Sequence, residues 1–156
     1  MSIPIAISGT DLIGQARTGT GKTLAFGVSA LQRIVLPGDE GWTQSGSRLP
    51  QALVMCPTRE LALQVSRDIN TAARVRGARV LTVYGGVGYD SQIDALKRGV
   101  DVVVGTPGRL LDLVGRRDLN LTSCSIVVLD EADEMLDLGF LPDVEKLLGL
   151  SLIHIS

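Results

Sequence analysis

A glycine-rich turn near the amino terminus carries the residues of this sequence best suited to chemistry. Residues 14–23 read Gly-Gln-Ala-Arg-Thr-Gly-Thr-Gly-Lys-Thr and lie between a short apolar run and a segment with helical periodicity. This is the context of a phosphate-binding loop, because glycine N–H groups and a helix N-terminus together attract an anion. Lys22 supplies a charge for the β- and γ-phosphates, and the Thr23 hydroxyl is a ligand for Mg²⁺. The predicted nucleotide site comprises Ala16, Arg17, Thr18, Gly19, Thr20, Gly21, Lys22 and Thr23.

A pair of carboxylates provides the second half of this predicted chemistry. Asp130 and Glu131 directly follow the apolar residues 126–129, which is the pattern of a Walker B strand. Asp130 would hold Mg²⁺ opposite Thr23, and Glu131 would orient or deprotonate the water that attacks the γ-phosphorus. The alternative is that the two carboxylates only mark the acidic N-terminus of a helix, where the helix dipole stabilises them. The phosphate-binding loop predicted at residues 16–23 makes this alternative less favourable. The predicted catalytic residues are therefore Lys22, Asp130 and Glu131, and the predicted metal ligands are Thr23 and Asp130.

Apolar runs and helical patterns alternate along the chain and indicate how these residues are positioned. Short runs at 52–56, 80–84, 101–104 and 126–129 read as buried strands, and helical periodicity follows them. Such alternation predicts an α/β fold with a doubly wound, mostly parallel sheet. Ligands of such sheets bind beyond the carboxyl ends of the strands, and every motif of this sequence lies at such an end.

The composition restricts the class of protein. Hydrophobic residues make up 45% of the chain and aromatic residues only 3%, so we expect an aliphatic core. The net charge of −2 provides no bulk attraction for nucleic acid. Cys56 and Cys124 lie in or beside apolar runs, which favours buried thiols in a reducing compartment. With no apolar run near the ~20 residues of a membrane span, we expect a cytoplasmic protein that does not engage a membrane.

Five motifs in a fixed order resemble the first RecA-like domain of a DEAD-box RNA helicase. They lie at residues 16–23, 57–62, 85–86, 106–109 and 130–133, the last of which reads Asp-Glu-Ala-Asp. The resemblance implies a P-loop domain that binds ATP with Mg²⁺ and, in the full-length parent, couples ATP hydrolysis to RNA unwinding or to remodelling of RNA–protein complexes. It also implies that Asp133 couples the nucleotide to a Ser-Ala-Thr motif further along the chain.

The resemblance further implies contacts with the RNA backbone by Pro57, Thr58, Arg59, Gly86, Thr106, Pro107, Gly108 and Arg109. Helix N-termini, glycine N–H groups and arginines bind phosphates without reading sequence, which suits A-form RNA. For Arg59 the alternative is a surface pair with a carboxylate such as Glu60, and for Gly85-Gly86 it is an ordinary turn at a strand end. The arginines within residues 74–79 are interpreted as a solvated face.

The sequence also departs from the family pattern. Residues 1–149 are interpreted as a partial RecA-like domain, truncated at both ends, and residues 150–156 as a non-native tail that resembles a translated transposase end. The family's adenine-recognition segment, Ser-Ala-Thr strand and second RecA-like domain with its arginine fingers are not found in this sequence. Because the Ser-Ala-Thr strand separates the loop strand from the Walker B strand, we expect a gap in the sheet. We also expect weak nucleotide binding and little ATP turnover by this chain.

Two other functions are consistent with the same residues. A DNA-dependent ATPase on this fold would be favoured by hydrolysis that depends on DNA, although the Asp-Glu-Ala-Asp tetrad argues against it. A non-catalytic adaptor would be favoured by RNA or nucleotide binding without hydrolysis.

Overall fold

Strands and helices alternate along most of the chain in the computed structural model. It describes residues 2–7, 10–15, 30–42 and 48–152, with 2–7, 10–15 and 151–152 described by their backbone alone. The strands are β1 (Ser2–Ile7), β2 (Thr10–Gln15), β3 (Ala52–Met55), β4 (Val80–Val83), β5 (Val102–Gly105) and β6 (Ile126–Asp130). The helices are α1 (its described residues being 30–33), α2 (Arg59–Arg76), α3 (Asp90–Arg98), α4 (Pro107–Gly115), α5 (Ala132–Asp137) and α6 (Leu141–Leu152).

The strands form one sheet in the order β1-β2-β6-β3-β5-β4. Only β1 runs antiparallel to its neighbour, and the other pairings are all parallel. Helices follow β3, β4, β5 and β6, and the crossovers through α2, α3 and α4 connect parallel strands of this sheet, of which only β4 and β5 are direct neighbours. The predicted α/β fold with a mostly parallel sheet is therefore confirmed.

Two apolar layers cover the two faces of this sheet. Leu53, Val103 and Val127 face the layer that α4, α5 and α6 complete, and the strand residues on either side of them face α1 and α2. This alternation follows from the period of two along a strand, and it makes the short strands apolar throughout. The sheet is thus doubly wound, with helices on both faces.

The loop strand and the Walker B strand are direct neighbours in this sheet. Residues 11–15 of β2 pair in parallel with residues 126–130 of β6. The predicted gap between these strands is therefore wrong for this structure. The backbone N–H and C=O groups that a gap would leave without partners instead form hydrogen bonds between β2 and β6.

The ends of α2 show why the local sequence forms a helix there. The Thr58 hydroxyl accepts a hydrogen bond from the Leu61 N–H at 3.2 Å, which caps the amino end. Gly77 ends the helix in the left-handed conformation, with φ of 75°.

At the carboxyl end of the described chain, α6 runs past Gly149 to Leu152, so the proposed boundary between residues 149 and 150 falls inside a helix and stays a prediction. Within the described ranges, no helix is both long and apolar enough to cross a bilayer.

The three arginines predicted to lie on a solvated face are exposed, and two of them also hold neighbouring segments together. Arg76 donates to the carbonyl oxygens of Leu31 and Ile34, and its Nη2 lies 2.6 Å from the Asp39 carboxylate. Arg79 donates from Nη1 to the Arg98 carbonyl oxygen at 2.9 Å. The prediction of a solvated face is therefore confirmed, and the side chains of Arg76 and Arg79 also hydrogen-bond to backbone acceptors of neighbouring segments.

Candidate functional site

The predicted motifs meet at the carboxyl edge of the parallel strands. Gly105 at the end of β5 pairs with Met55 of β3 and Val83 of β4. Beyond these pairs, the Cys56 N–H donates to the Gly105 carbonyl oxygen at 2.9 Å, and the Thr106 N–H donates to the Val83 carbonyl oxygen at 3.2 Å. The segments that follow these three strands therefore leave the sheet side by side.

The predicted phosphate-binding residues Ala16–Thr23 lie outside the described residues. The strand that leads to them is described, and its last residue, Gln15, pairs with Asp130. The end of β2 therefore lies beside the predicted metal ligand. This register agrees with the sequence prediction that the loop and the Walker B carboxylates share one site.

Asp130 and Glu131 occupy unusual positions at the tip of β6. Asp130 is only 2% exposed. Glu131 has a φ of 55°, one of two positive values outside glycine in the described part of the chain. Left-handed backbone is costly for a side-chain-bearing residue and is often found at functional sites. Asp133 follows in the first turn of α5 and is exposed.

The buried thiol of Cys56 belongs to the same region. Burial raises the pKa of the Cys56 thiol well above its usual value, and the Asp130 carboxylate adds to the rise. Cys56 and Cys124 are both free and buried, as the sequence predicts. A thiol held protonated in this way is inert, so it shapes the site by packing and not by chemistry.

The donor set fits Mg²⁺ held together with a nucleotide. Across the described ranges no group of three or more His, Cys, Asp or Glu side chains has the arrangement of a metal site. Mg²⁺ typically takes one or two carboxylates and completes its coordination with water and substrate phosphates. Asp130 at the tip of β6 matches that demand, and Thr23, the other predicted ligand, lies outside the described residues.

The segment after β3 presents a buried proline, a helix cap and an exposed arginine. Pro57 is buried, Thr58 caps α2, and Arg59 opens the helix. The Arg59 guanidinium lies 4.8 Å from the centroid of the Tyr84 ring. None of the ion pairs found among the described residues joins Arg59 to Glu60. The surface pair considered as an alternative for Arg59 is therefore not formed.

The segments after β4 and β5 are tied together by Arg109. Gly86 has a φ of 83°, which explains glycine at this turn. Pro107 starts α4 at a position where its missing N–H costs little, and Gly108 beside it is exposed. Arg109 reaches back from α4 and donates from Nη2 to the Val87 carbonyl oxygen at 2.9 Å.

Three residues of this cluster are missed by the sequence analysis. Gln92 accepts a hydrogen bond from Arg109, Tyr89 lies under the Arg109 guanidinium at 4.2 Å, and Tyr84 lies under Arg59. The only local signal for Gln92 is an amide beside the apolar stripe of α3. For the tyrosines it is their position on either side of the glycine turn.

Comparison with known proteins identifies the family. The family model described as DEAD/DEAH box helicase matches residues 1–153. The chain belongs to this family. It is 48% identical over 148 residues to the DEAD-box ATP-dependent RNA helicase CshA of Streptococcus pneumoniae, covering 95% of this chain and 26% of that protein. It is 47% identical to the ATP-dependent RNA helicase RhlB of Proteus mirabilis, covering 94% of this chain and 34% of that one.

Solved structures of DEAD-box proteins show the same fold. The yeast DEAD-box splicing factor Prp28 matches with a TM-score of 0.76 at 32% identity, over 92% of this chain and 32% of that chain. A hypothetical ATP-dependent RNA helicase from Sulfolobus tokodaii matches with a TM-score of 0.74 at 38% identity, over 92% and 39% of the two chains. This DEAD-box chain thus spans about a quarter to two fifths of the length of these relatives.

Proposed function

We propose that this chain is the ATP- and RNA-binding first RecA-like domain of a DEAD-box RNA helicase. In the parent protein, ATP hydrolysis would be coupled to RNA unwinding or to remodelling of RNA–protein complexes. The observation that supports this most is that the motif segments after β3, β4, β5 and β6 meet at one edge of the sheet. Two of the relatives carry the name ATP-dependent RNA helicase, which agrees with the proposal.

The nucleotide half of the proposed site lies between the tips of β2 and β6. ATP and Mg²⁺, when bound, would supply the phosphoanhydride and neutralise its charge. Ala16–Thr23 would hold the phosphates through backbone N–H groups, with the Lys22 ammonium as the added cation. Thr23 and Asp130 would hold the ion, and Glu131 would orient the attacking water and accept its proton.

The RNA half of the proposed site lies at the ends of β3, β4 and β5. The amino ends of α2 and α4 present the backbone N–H groups of Thr58, Arg59, Gly108 and Arg109, and exposed Gly108 leaves that backbone accessible. Gly86 adds a turn, and Arg59 and Arg109 add two cations. Such contacts bind the phosphates of a nucleic acid regardless of its base sequence. Asp133 would connect the nucleotide half to the rest of the parent protein.

Binding assays with a fluorescent ATP analogue and with RNA test this proposal on the 156-residue chain. We expect analogue binding that requires Mg²⁺ and is lost in Lys22→Ala. Lys97→Ala is the matched control, because Lys97 is an exposed lysine on α3. We expect a single-stranded RNA to bind more tightly than DNA of the same sequence.

The outcomes separate the competing functions. Equal loss of analogue binding in Lys22→Ala and Lys97→Ala would contradict the nucleotide site. Preference for DNA would favour a DNA-dependent ATPase. RNA binding by a full-length parent that never hydrolyses ATP would favour the adaptor. The second RecA-like domain is the proposed intramolecular partner in that parent.

A further inference from the structure

A continuous set of contacts joins the three segments proposed to bind RNA. Arg59, from the segment after β3, lies over the ring of Tyr84 at the end of β4. The Tyr84 carbonyl oxygen accepts from Gln92, and Gln92 accepts from Arg109. Arg109 in turn donates to the Val87 carbonyl oxygen. Gln92 is thus the link between the glycine turn and α4.

The two ends of the Gln92 amide match their partners chemically. Its Nε2 donates to the Tyr84 carbonyl oxygen at 3.3 Å, and its Oε1 accepts from the Arg109 Nη1 at 3.1 Å. A carbonyl oxygen only accepts and a guanidinium only donates, so the partners themselves fix the orientation of the amide. The planar side-chain amide of glutamine offers both a donor and an acceptor.

Gln92 is held firmly enough to fix the positions of its two hydrogen-bond partners. It is 4% exposed, which is uncommon for a glutamine, and it lies on α3. Ile93 and Leu96 of the same helix pack against the core layer that contains Val83. A buried amide on an anchored helix therefore holds both partners relative to the sheet.

Arg109 is restrained on several sides at once. Its Nη1 and Nη2 each donate to a protein oxygen, and its guanidinium lies 4.2 Å from the centroid of the Tyr89 ring. A planar guanidinium with two fixed hydrogen bonds has a defined direction, and its remaining N–H groups point one way. Removing the Gln92 acceptor would release one of these restraints.

We propose that Gln92 is a positioning residue for RNA binding, which aligns Arg109 with the glycine turn at Gly85-Gly86. This inference rests on the proposed RNA site at the ends of β3, β4 and β5. Gln92 does not bind RNA itself. It makes the turn and the amino end of α4 act as one rigid phosphate-binding surface.

Two substitutions of Gln92 and a matched control test this role in the 156-residue chain. Gln92→Met keeps the length of the side chain and removes both hydrogen bonds. Gln92→Glu keeps an acceptor for Arg109 and removes the donor to Tyr84. Gln51→Met is the control, because Gln51 bridges the Val35 N–H and carbonyl oxygen at 2.8 and 2.7 Å beside the amino end of β3.

The affinity for single-stranded RNA is the first measurement. We expect Gln92→Met to weaken RNA binding about tenfold and Gln92→Glu about threefold, because a hydrogen bond to a charged group is the stronger of the two contacts. Gln51→Met is expected to lower thermal stability as much as Gln92→Met does, with unchanged RNA affinity. Unchanged RNA affinity in Gln92→Met, or an equal loss in Gln51→Met, would overturn the positioning role.

The Arg109 side chain provides a second measurement that does not need RNA. We expect the NMR signals of the Arg109 guanidinium to be resolved by slow rotation in the wild type and in Gln92→Glu, and averaged in Gln92→Met. If the wild type binds no RNA, the proposed function fails, and these signals alone decide whether Gln92 positions Arg109. Identical Arg109 signals in all three proteins would overturn the inference whatever the RNA result.

Discussion

Gly105, at the end of β5, is packed closely against Val83 of the neighbouring strand β4. A Cβ at this position would lie 2.5 Å from Val83 Cγ2 and 2.7 Å from the Val83 carbonyl oxygen. The Val83 carbonyl oxygen also accepts a hydrogen bond from the Thr106 N–H, and this bond opposes a shift of the oxygen away from an added Cβ. We expect Gly105→Ala to lower the free energy of unfolding by about 1–3 kcal/mol, the usual cost of overpacking. Urea unfolding measures this, and a stability equal to that of the wild type would show that the strands can separate.

Gly108 offers the opposite test within the same segment. A Cβ there meets no atom within 4 Å, and the residue lies in the first turn of α4. We expect Gly108→Ala to leave stability unchanged or raise it by up to about 1 kcal/mol, since alanine favours helix. It should nevertheless weaken RNA binding about tenfold, because the methyl group covers a backbone N–H that would contact phosphate. RNA titration of a fully folded variant checks this, and unchanged affinity would place the RNA elsewhere.

The Cys56 thiol makes stability depend on pH in the alkaline range. Its pKa is raised in the folded chain, chiefly by burial and further by Asp130, so the folded state keeps a proton that the unfolded state releases. Stability is therefore independent of this group below the usual thiol pKa of about 8.5 and falls as the pH rises above it. We expect urea unfolding between pH 7 and 10 to show a steeper decline in the wild type than in Cys56→Ala. Parallel declines would exclude this thiol as the cause.

At the level of single residues, sequence reasoning identified groups whose chemistry is local to a motif. The Thr58 cap and the Gly77 helix end are features of this kind, because each depends only on neighbouring residues. Gln92 and Tyr84 were missed because their partners are distant in sequence and are defined only once the strands are paired. The proposed roles of the motif residues stay predictions until binding is measured.

At the level of elements, an ion pair fastens the amino ends of the strands. The Asp101 carboxylate is fully buried and accepts from Arg48 Nε and Nη2 at 2.8 and 2.7 Å, and from the Arg79 N–H at 2.7 Å. The hydrogen bond to Asp101 raises the pKa of Arg48. Asp101 thereby joins the segments that enter β3, β4 and β5.

Removing one partner of this pair isolates its contribution. We expect Arg48→Met to lower the free energy of unfolding by about 3–5 kcal/mol, because it leaves the Asp101 carboxylate buried without its cation. Arg116→Met is the control: Arg116 pairs with Asp118 at 3.3 Å with 47% of its side chain exposed, and such pairs contribute at most about 1 kcal/mol. Equal effects of the two substitutions in urea unfolding would contradict this account.

Element positions were predictable from periodicity, whereas one strand pairing was not. The runs at 52–56, 80–84, 101–104 and 126–129 match strands of the parallel sheet to within one residue at each end. The direct pairing of β2 with β6 was not foreseen, because apolar runs specify that a strand is buried and not which strand lies beside it. The same limit explains why the hydrogen-bond acceptors of Arg76 and Arg79 were not predicted, since they lie on segments distant in sequence.

At the scale of the whole molecule, the chain spans 26–34% of the curated helicases it resembles. The family resemblance implies that arginines of a second RecA-like domain stabilise the charge on the transferred phosphoryl group, an effect of about 10³–10⁵-fold. We therefore expect this chain to release phosphate slowly, at a rate that saturating RNA does not change. A phosphate-release assay measures this, and RNA stimulation to the rates of a full helicase would refute it.

The burial of both cysteines has a practical consequence for following this protein in solution. Because Cys56 and Cys124 are the chain's two cysteines and neither meets solvent, a cysteine introduced at Val75, which is 87% exposed, would be the single site for a maleimide dye. Val75 lies near the far end of α2, about 24 Å along the helix axis from Arg59 at 1.5 Å per residue. Energy transfer from this position to a labelled oligonucleotide would map its path across the protein without altering a single residue of the proposed site.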